Sequence, residues 1–123
     1  MAGILELQSF KTKPRVFILS DISNEPDDAE SLCRYLLYAN QFETEGLVAC
    51  TSTWMKNKVC PQDMENVIDA YAGAVENLNR HARLDSQYPT AEHLKSLIRK
   101  GAEVRYPSDQ IENIKADGSR PTA

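Results

Sequence analysis

The chain has 123 residues, with 14 basic and 18 acidic side chains, a net charge of −4 and an isoelectric point near 5.2. Its length bounds it to one domain or part of one, and the acidic balance leaves no basic footprint for nucleic acid or an anionic membrane surface. No apolar run approaches the roughly 18 residues of a membrane span, and Glu6 stands where a secretory leader needs its apolar region. Neither a membrane nor a secretory route is expected, and the location reads as cytoplasmic or unknown.

Residues 1–14 are polar and mixed and read as a leading arm. Arg15-Val-Phe-Ile-Leu-Ser20 follows a proline and is β-branched and aromatic at its centre, which predicts a buried strand. Asn24-Glu25-Pro26 reads as a helix start: Asn24 or Glu25 caps, Pro26 suits the first turn, and Asp27 and Asp28 follow in it. Leu32, Cys33, Leu36 and Leu37 fall on one helical face, and Asn40 marks a stop. Gly46–Cys50 is a second apolar run, too short for a helix and preceded by the polar Glu43–Glu45, so it reads as a second strand. Pro61 opens a second helix, with Met64, Val67, Ile68, Tyr71, Val75 and Leu78 spaced by three and four in one continuous stripe. A third, shorter helix follows Pro89-Thr90, with Leu94, Leu97 and Ile98 apolar and Gly101 as its stop. Residues 15–101 thus form the body of a domain, and the polar residues 102–123 read as its cut end.

The order strand–helix–strand–helix–helix signals an α/β fold with a parallel sheet. Two strands are too few: a parallel sheet needs both faces covered, and a two-stranded one leaves an edge open. Counting alone therefore predicts the first part of a larger fold, completed by a missing C-terminal segment, by a partner or by self-association. Cys33 in the helical stripe and Cys50 at the strand end are expected to be buried thiols, and Cys60 before Pro61 exposed. His81 and His93 have no metal-spaced partner and read as surface residues near helix ends.

Chemistry concentrates in the turn after the first strand. Asp21 lies at the strand's carboxyl end, and Asp27 and Asp28 lie in the first helical turn. In an open α/β sheet that crevice is where ligands bind. Three converging carboxylates repel one another unless a cation or proton neutralises them. With Ser23 and Asn24 offering neutral oxygens, an all-oxygen set suits a hard ion such as Ca²⁺ or Mg²⁺. A helix cap explains much of the same pattern: first-turn carboxylates complement the macrodipole by about 0.3–1 kcal/mol each, and Asn24 with Asp27 resembles a capping arrangement. Asp21 is the residue a cap does not require. At the second strand end, Thr51-Ser52-Thr53-Trp54 offers three hydroxyls and an indole, which suits hydrogen bonding and stacking to a sugar, or else forms an ordinary loop with Trp54 against the sheet edge.

Asp21-Ile-Ser-Asn-Glu-Pro-Asp-Asp-Ala29, after an apolar strand and before a Leu-rich helix, resembles the opening of the nucleoside-hydrolase-like superfamily, whose archetypal enzymes begin Asp-x-Asp-Pro-Gly-x-Asp-Asp-Ala. It is similar more specifically to the branch labelled cellulose-binding protein. Glu45–Trp54, Val67–Tyr71 and Tyr88–Glu92 resemble the same branch in the same order, so the similarity runs from about Lys13 to Gly101. The resemblance implies the N-terminal portion of a Rossmann-like nucleoside-hydrolase fold. It implies hydrolysis of N-glycosidic or related bonds: strand-end carboxylates hold Ca²⁺, which activates a water and grips ribose hydroxyls while the glycosidic bond breaks through an oxocarbenium-like state.

Carried over, Asp21, Asp27 and Asp28 are the metal candidates, with Asp28 foremost, and Asp21 and Asp27 the catalytic ones. Asn24, Thr53 and Trp54 are the candidates for binding a small nucleoside or sugar. Two departures matter. Ser23 stands where the archetypal enzymes place a catalytic, metal-binding aspartate, and a hydroxyl does not act as a carboxylate base near pH 7. Asn57 lies only near the place of their substrate-binding asparagine, and the later metal ligands of the family belong to strands beyond this chain. The expectation is an N-terminal fragment carrying part of a calcium and ribose site. Its alternative is a non-catalytic carbohydrate- or partner-binding module whose acidic turn is only a cap. A phosphoacceptor pocket is a weaker third, because Asp21-Ile-Ser23 lacks the second aspartate of Asp-x-Asp.

Overall fold

The computed structural model describes residues 12–103. Most of the expected leading arm, and all of the expected tail except residues 102 and 103, lie outside the described residues.

Strand β1 (Arg15–Ser20) pairs in parallel with β2 (Glu43–Ala49), and β2 pairs in parallel with β3 (Ile98–Lys100), in the order β1-β2-β3. Four helices join them: α1 (Pro26–Leu36), α2 (Pro61–Ala72), α3 (Val75–His81) and α4 (Ala91–Ser96), with a 3-10 turn at Ala39–Gln41. This is the predicted α/β parallel sheet, with one strand more than the sequence reading gave it.

The strand phases show how the sheet separates its two faces. Val16, Ile18 and Ser20 alternate inward on β1, while Arg15, Phe17 and Leu19 point away. On β2 the register slips by one residue between Val16 and Phe17 of its neighbour, leaving Glu45 as the extra residue. That bulge changes the phase of β2, so Thr44 before it and Leu47 and Ala49 after it are all buried. The core comprises Ile22, Leu32, Leu36, Leu47, Ala49, Met64, Ile68, Tyr71, Ala91 and Leu94, gathered between the sheet and the helices. Tyr35 and Thr44 join helix α1 to the sheet by a 2.6 Å hydroxyl–hydroxyl hydrogen bond.

Several expectations change. Leu97 and Ile98 do not extend the last helix: Leu47 N–H donates to the Leu97 carbonyl at 3.1 Å, and Ile98 pairs with Leu47 as the start of β3. Pairing with a central strand overrides the local helical spacing. The long stripe from Met64 to Leu78 is two helices. At Gly73 and Ala74 the amides bond three residues back, to the Ala70 and Tyr71 carbonyls, and that tighter turn redirects the chain. Strand β2 begins at Glu43, because Glu43 N–H donates to the Pro14 carbonyl at 2.8 Å and Arg15 pairs with Glu45, also at 2.8 Å. Helix α1 ends at Leu36, so Leu37 lies outside its apolar face and is exposed. Cys33 is exposed and Cys50 half-buried, while Cys60 packs partly against the core, the reverse of the ranking expected for Cys33 and Cys60. The stripe of α1 is narrow: Leu32 and Leu36 carry its burial.

Candidate functional site

The three strands end side by side. Cys50 N–H donates to the Ser20 carbonyl at 2.9 Å, and Gly101 N–H donates to the Ala49 carbonyl at 2.8 Å. Past these ends the chain turns sharply at Asp21–Asn24, closed by Asn24 N–H on the Asp21 carbonyl at 3.0 Å. Ser23, third in the turn, has φ 81°, the left-handed conformation that a type II turn demands at that position. A serine there costs on the order of 1–3 kcal/mol. The turn is anchored by Ile22, which is 1% exposed. Burial of this one side chain holds Asp21 and Ser23 on either side of it at the rim of the sheet.

The predicted carboxylates separate in role. Asp21 lies beside Cys50: burial first, then the Asp21 charge, raises the Cys50 thiol pKa above its usual value, only partly offset by a backbone hydrogen bond. Asp28 caps the helix, its Oδ2 accepting from Glu25 N–H at 2.9 Å, while Asp28 N–H donates to the Glu25 carbonyl at 3.1 Å. The cap is therefore Glu25 with Asp28, one residue on from the Asn24 and Asp27 arrangement. Asp27 is exposed in the first turn of α1, where its charge complements the helix dipole. Among the described residues no group of three or more His, Cys, Asp and Glu side chains is placed to hold a metal ion.

A hollow of about 470 Å³ lies against the turn, lined by Ser23, Asn24 and Glu25 on one side and by Asp63 and Asn66 of α2 on the other. Asp63 and Asn66 are the polar residues that sequence reasoning missed. Their spacing of three, on the side of α2 away from Met64 and Ile68, was the available signal. The hollow does not include Asp21, Asp27, Asp28, Thr53 or Trp54.

Thr53 and Trp54 belong to a second rim element, the turn Ser52–Met55. Ser52 N–H donates to the Met55 carbonyl at 3.0 Å, and Ser52 Oγ accepts from the amides of Trp54 at 3.2 Å and Met55 at 3.1 Å. Met55 is 6% exposed and pins the turn to the protein, whereas Trp54 is 80% exposed. Trp54 does not pack against the sheet edge. The turn presents its indole to solvent, with the hydroxyl-bearing Thr53 beside it.

A parallel α/β sheet with its polar turns gathered beyond the carboxyl ends of its strands defines a protein of the open, Rossmann-like class, in which that edge receives the ligand. Within that class the chain belongs to the family described as cellulose-binding Sde182, nucleoside hydrolase-like domain, which matches residues 15–121. It is also similar to the solved structure of a nucleoside hydrolase-related hypothetical protein from Saccharophagus degradans that is associated with carbohydrate metabolism. The identity is 25% and the TM-score 0.71, over 89% of this chain and 25% of that one. The chain thus spans about a quarter of the length of that relative. No curated protein matches it. Among the described residues no helix is long and apolar enough to cross a membrane.

Proposed function

We propose that the chain forms part of a carbohydrate-binding surface at the carboxyl ends of the strands, with Trp54 as its stacking platform. The observation that carries this reading is the 80% exposure of Trp54 on a turn fixed by Ser52 and by the buried Met55. The exposed indole offers a flat apolar face, and a sugar ring presents the apolar C–H face and hydroxyl rim that an indole beside a threonine complements. The cellulose-binding description of the family and the carbohydrate association of the Saccharophagus relative support the same ligand class. In this reading the neutral oxygens of Ser23 and Asn24, with Asp63 and Asn66 opposite, contribute a separate polar hollow on the same rim.

Trp54 is the sole tryptophan of the sequence, so intrinsic indole emission reports this site alone. Cello-oligosaccharides are expected to shift or quench that emission. Loss of the indole in Trp54→Ala is expected to weaken binding at least tenfold, or about 1.4 kcal/mol, measured calorimetrically with the far-UV circular dichroism unchanged. Emission indifferent to the sugar in a folded sample would sink the proposal.

Hydrolysis of a glycosyl bond is the second reading, favoured by Asp21, a strand-end carboxylate outside the helix cap and beside the second strand end. In it Asp21, Asp27 and Asp28 are this chain's carboxylates toward a calcium ion whose other oxygens come from beyond the described residues. A thermal melt in millimolar Ca²⁺ tests it: a ligand at 100 times its Kd stabilises by about 2.7 kcal/mol, and Asp21→Asn/Asp27→Asn should abolish the shift. A melt that ignores calcium leaves Asp27 and Asp28 as helix-capping charges.

A further inference from the structure

A second cavity, of about 300 Å³, opens at the other end of the molecule, where α3 follows α2 and the 3-10 turn follows α1. Its volume is at the low end of the range of about 300–1,000 Å³ for small-molecule sites. Leu78 and Ala82 supply apolar floor, and the Tyr88 ring forms a wall. The wall is fixed at two points: Tyr88 N–H donates to Asn79 Oδ1 at 2.7 Å, and Tyr88 O–H donates to the Leu37 carbonyl at 2.6 Å.

Three polar side chains also line the cavity: Asn40, Asn77 and His81. Asn77 and His81 are four apart on α3, so they lie on one face of that helix, and both are exposed. Asn40 differs from them. It is only 9% exposed, and its Nδ2 donates to the Ser86 carbonyl at 3.0 Å. That acceptor fixes which end of the amide is the nitrogen and leaves Oδ1 with no hydrogen-bond partner among the described residues. A buried acceptor left without a donor is costly, and Asn40 belongs to the lining of this cavity, where a bound ligand can supply one.

We infer that this cavity is a binding site for a single neutral sugar ring, its C–H face laid on Leu78 and Tyr88 and its hydroxyls shared among Asn40, Asn77 and His81. Three properties select that class. No carboxylate, ammonium or guanidinium lines the cavity among the described residues, so the ligand is uncharged. The unpartnered Asn40 Oδ1 requires a donor. Apolar floor with amide and imidazole groups around it matches a ring with one C–H face and several hydroxyls, and the small volume limits it to one ring. The site is independent of Trp54, which sits at the opposite end of the strands.

The test uses the full chain, ¹⁵N-labelled, titrated with glucose while backbone and side-chain amide resonances are followed. Saturable shifts are expected at the Asn40 and Asn77 side-chain amides and along 77–82, with affinity in the millimolar range, about −4 kcal/mol. Asn77→Ala/His81→Ala, both at exposed positions, should abolish these shifts while leaving the melting temperature in place. Trp54→Ala should leave them untouched, which separates failure here from failure at the rim. Absence of shifts at Asn40 and Asn77, shifts that survive the double substitution, or shifts confined to Trp54 and its neighbours would each overturn the inference.

Discussion

The two faces of the sheet are built from the same three strands yet differ in almost every respect. Toward the helices lie Ile18 and Leu47, packed with Met64, Ile68 and Leu94, the last four completely buried. Away from them lie Phe17 and Leu19, 61% and 65% exposed, with the Phe17 ring lying over Gly46 so closely that a Cβ there would collide with it. A parallel sheet ordinarily buries both faces. Only one face of this sheet is covered within the described residues, so stability should rest on that face and association on the other.

The largest expected effect lies in the covered face. Ile68→Ala should cost about 2–5 kcal/mol, read as a lower midpoint in urea unfolding, since Ile68 is completely buried between α2 and the sheet. Comparable stability in the variant would mean that the helices contribute little and the two faces are not so different.

Tyr71 sharpens the same comparison through pH. Its O–H donates to the Pro89 carbonyl at 2.5 Å, and burial, then the neighbouring Tyr88, pushes its pKa up from 10.0 to about 12. The folded state therefore holds this proton more tightly than the unfolded chain. The contribution is fully present below pH 10 and lost as pH rises toward 12, on the order of 2 kcal/mol. Tyr71→Phe should flatten that part of the stability–pH curve and remove about 1 kcal/mol at neutral pH with the hydrogen bond. A curve unchanged by the substitution would show that Tyr71 is not held as described.

The smallest effect on stability belongs to the bare face. Phe17→Ser/Leu19→Ser should change unfolding by no more than about 0.5 kcal/mol per site, because neither side chain is buried. It should nonetheless lower the sedimentation coefficient at high concentration, if exposed apolar surface draws copies together. Equal sedimentation of parent and variant would deny the bare face any role in association.

The acidic turn and the strand preceding it were legible because their signals are local. Pro26 and two following aspartates write a helix start into consecutive residues, and a proline followed by an apolar run writes a strand. Of the two caps the sequence offers, Asn24 and Glu25, the structure uses Glu25, because Asn24 is drawn into the Asp21 turn. Strand β3 was not legible: Leu97 and Ile98 continue a helical spacing, and only the unpaired edge of β2 turns them into a strand. The hollow formed with Asp63 and Asn66 was equally hidden, since nothing at positions 61–67 indicates which helix will lie beside residues 22–29.

By itself, then, the sequence determined the α/β order, the capped acidic turn and the membership that its four separated motifs carry, because each is encoded over a few neighbouring residues. The tertiary structure decided which of those residues meet. It assigned Asp28 to the cap, turned Trp54 outward over a buried Met55, exposed Cys33 and set the buried Asn40 in the lining of a cavity. Those outcomes depend on packing between segments distant in the chain, and periodicity within a segment carries no information about its partner across space.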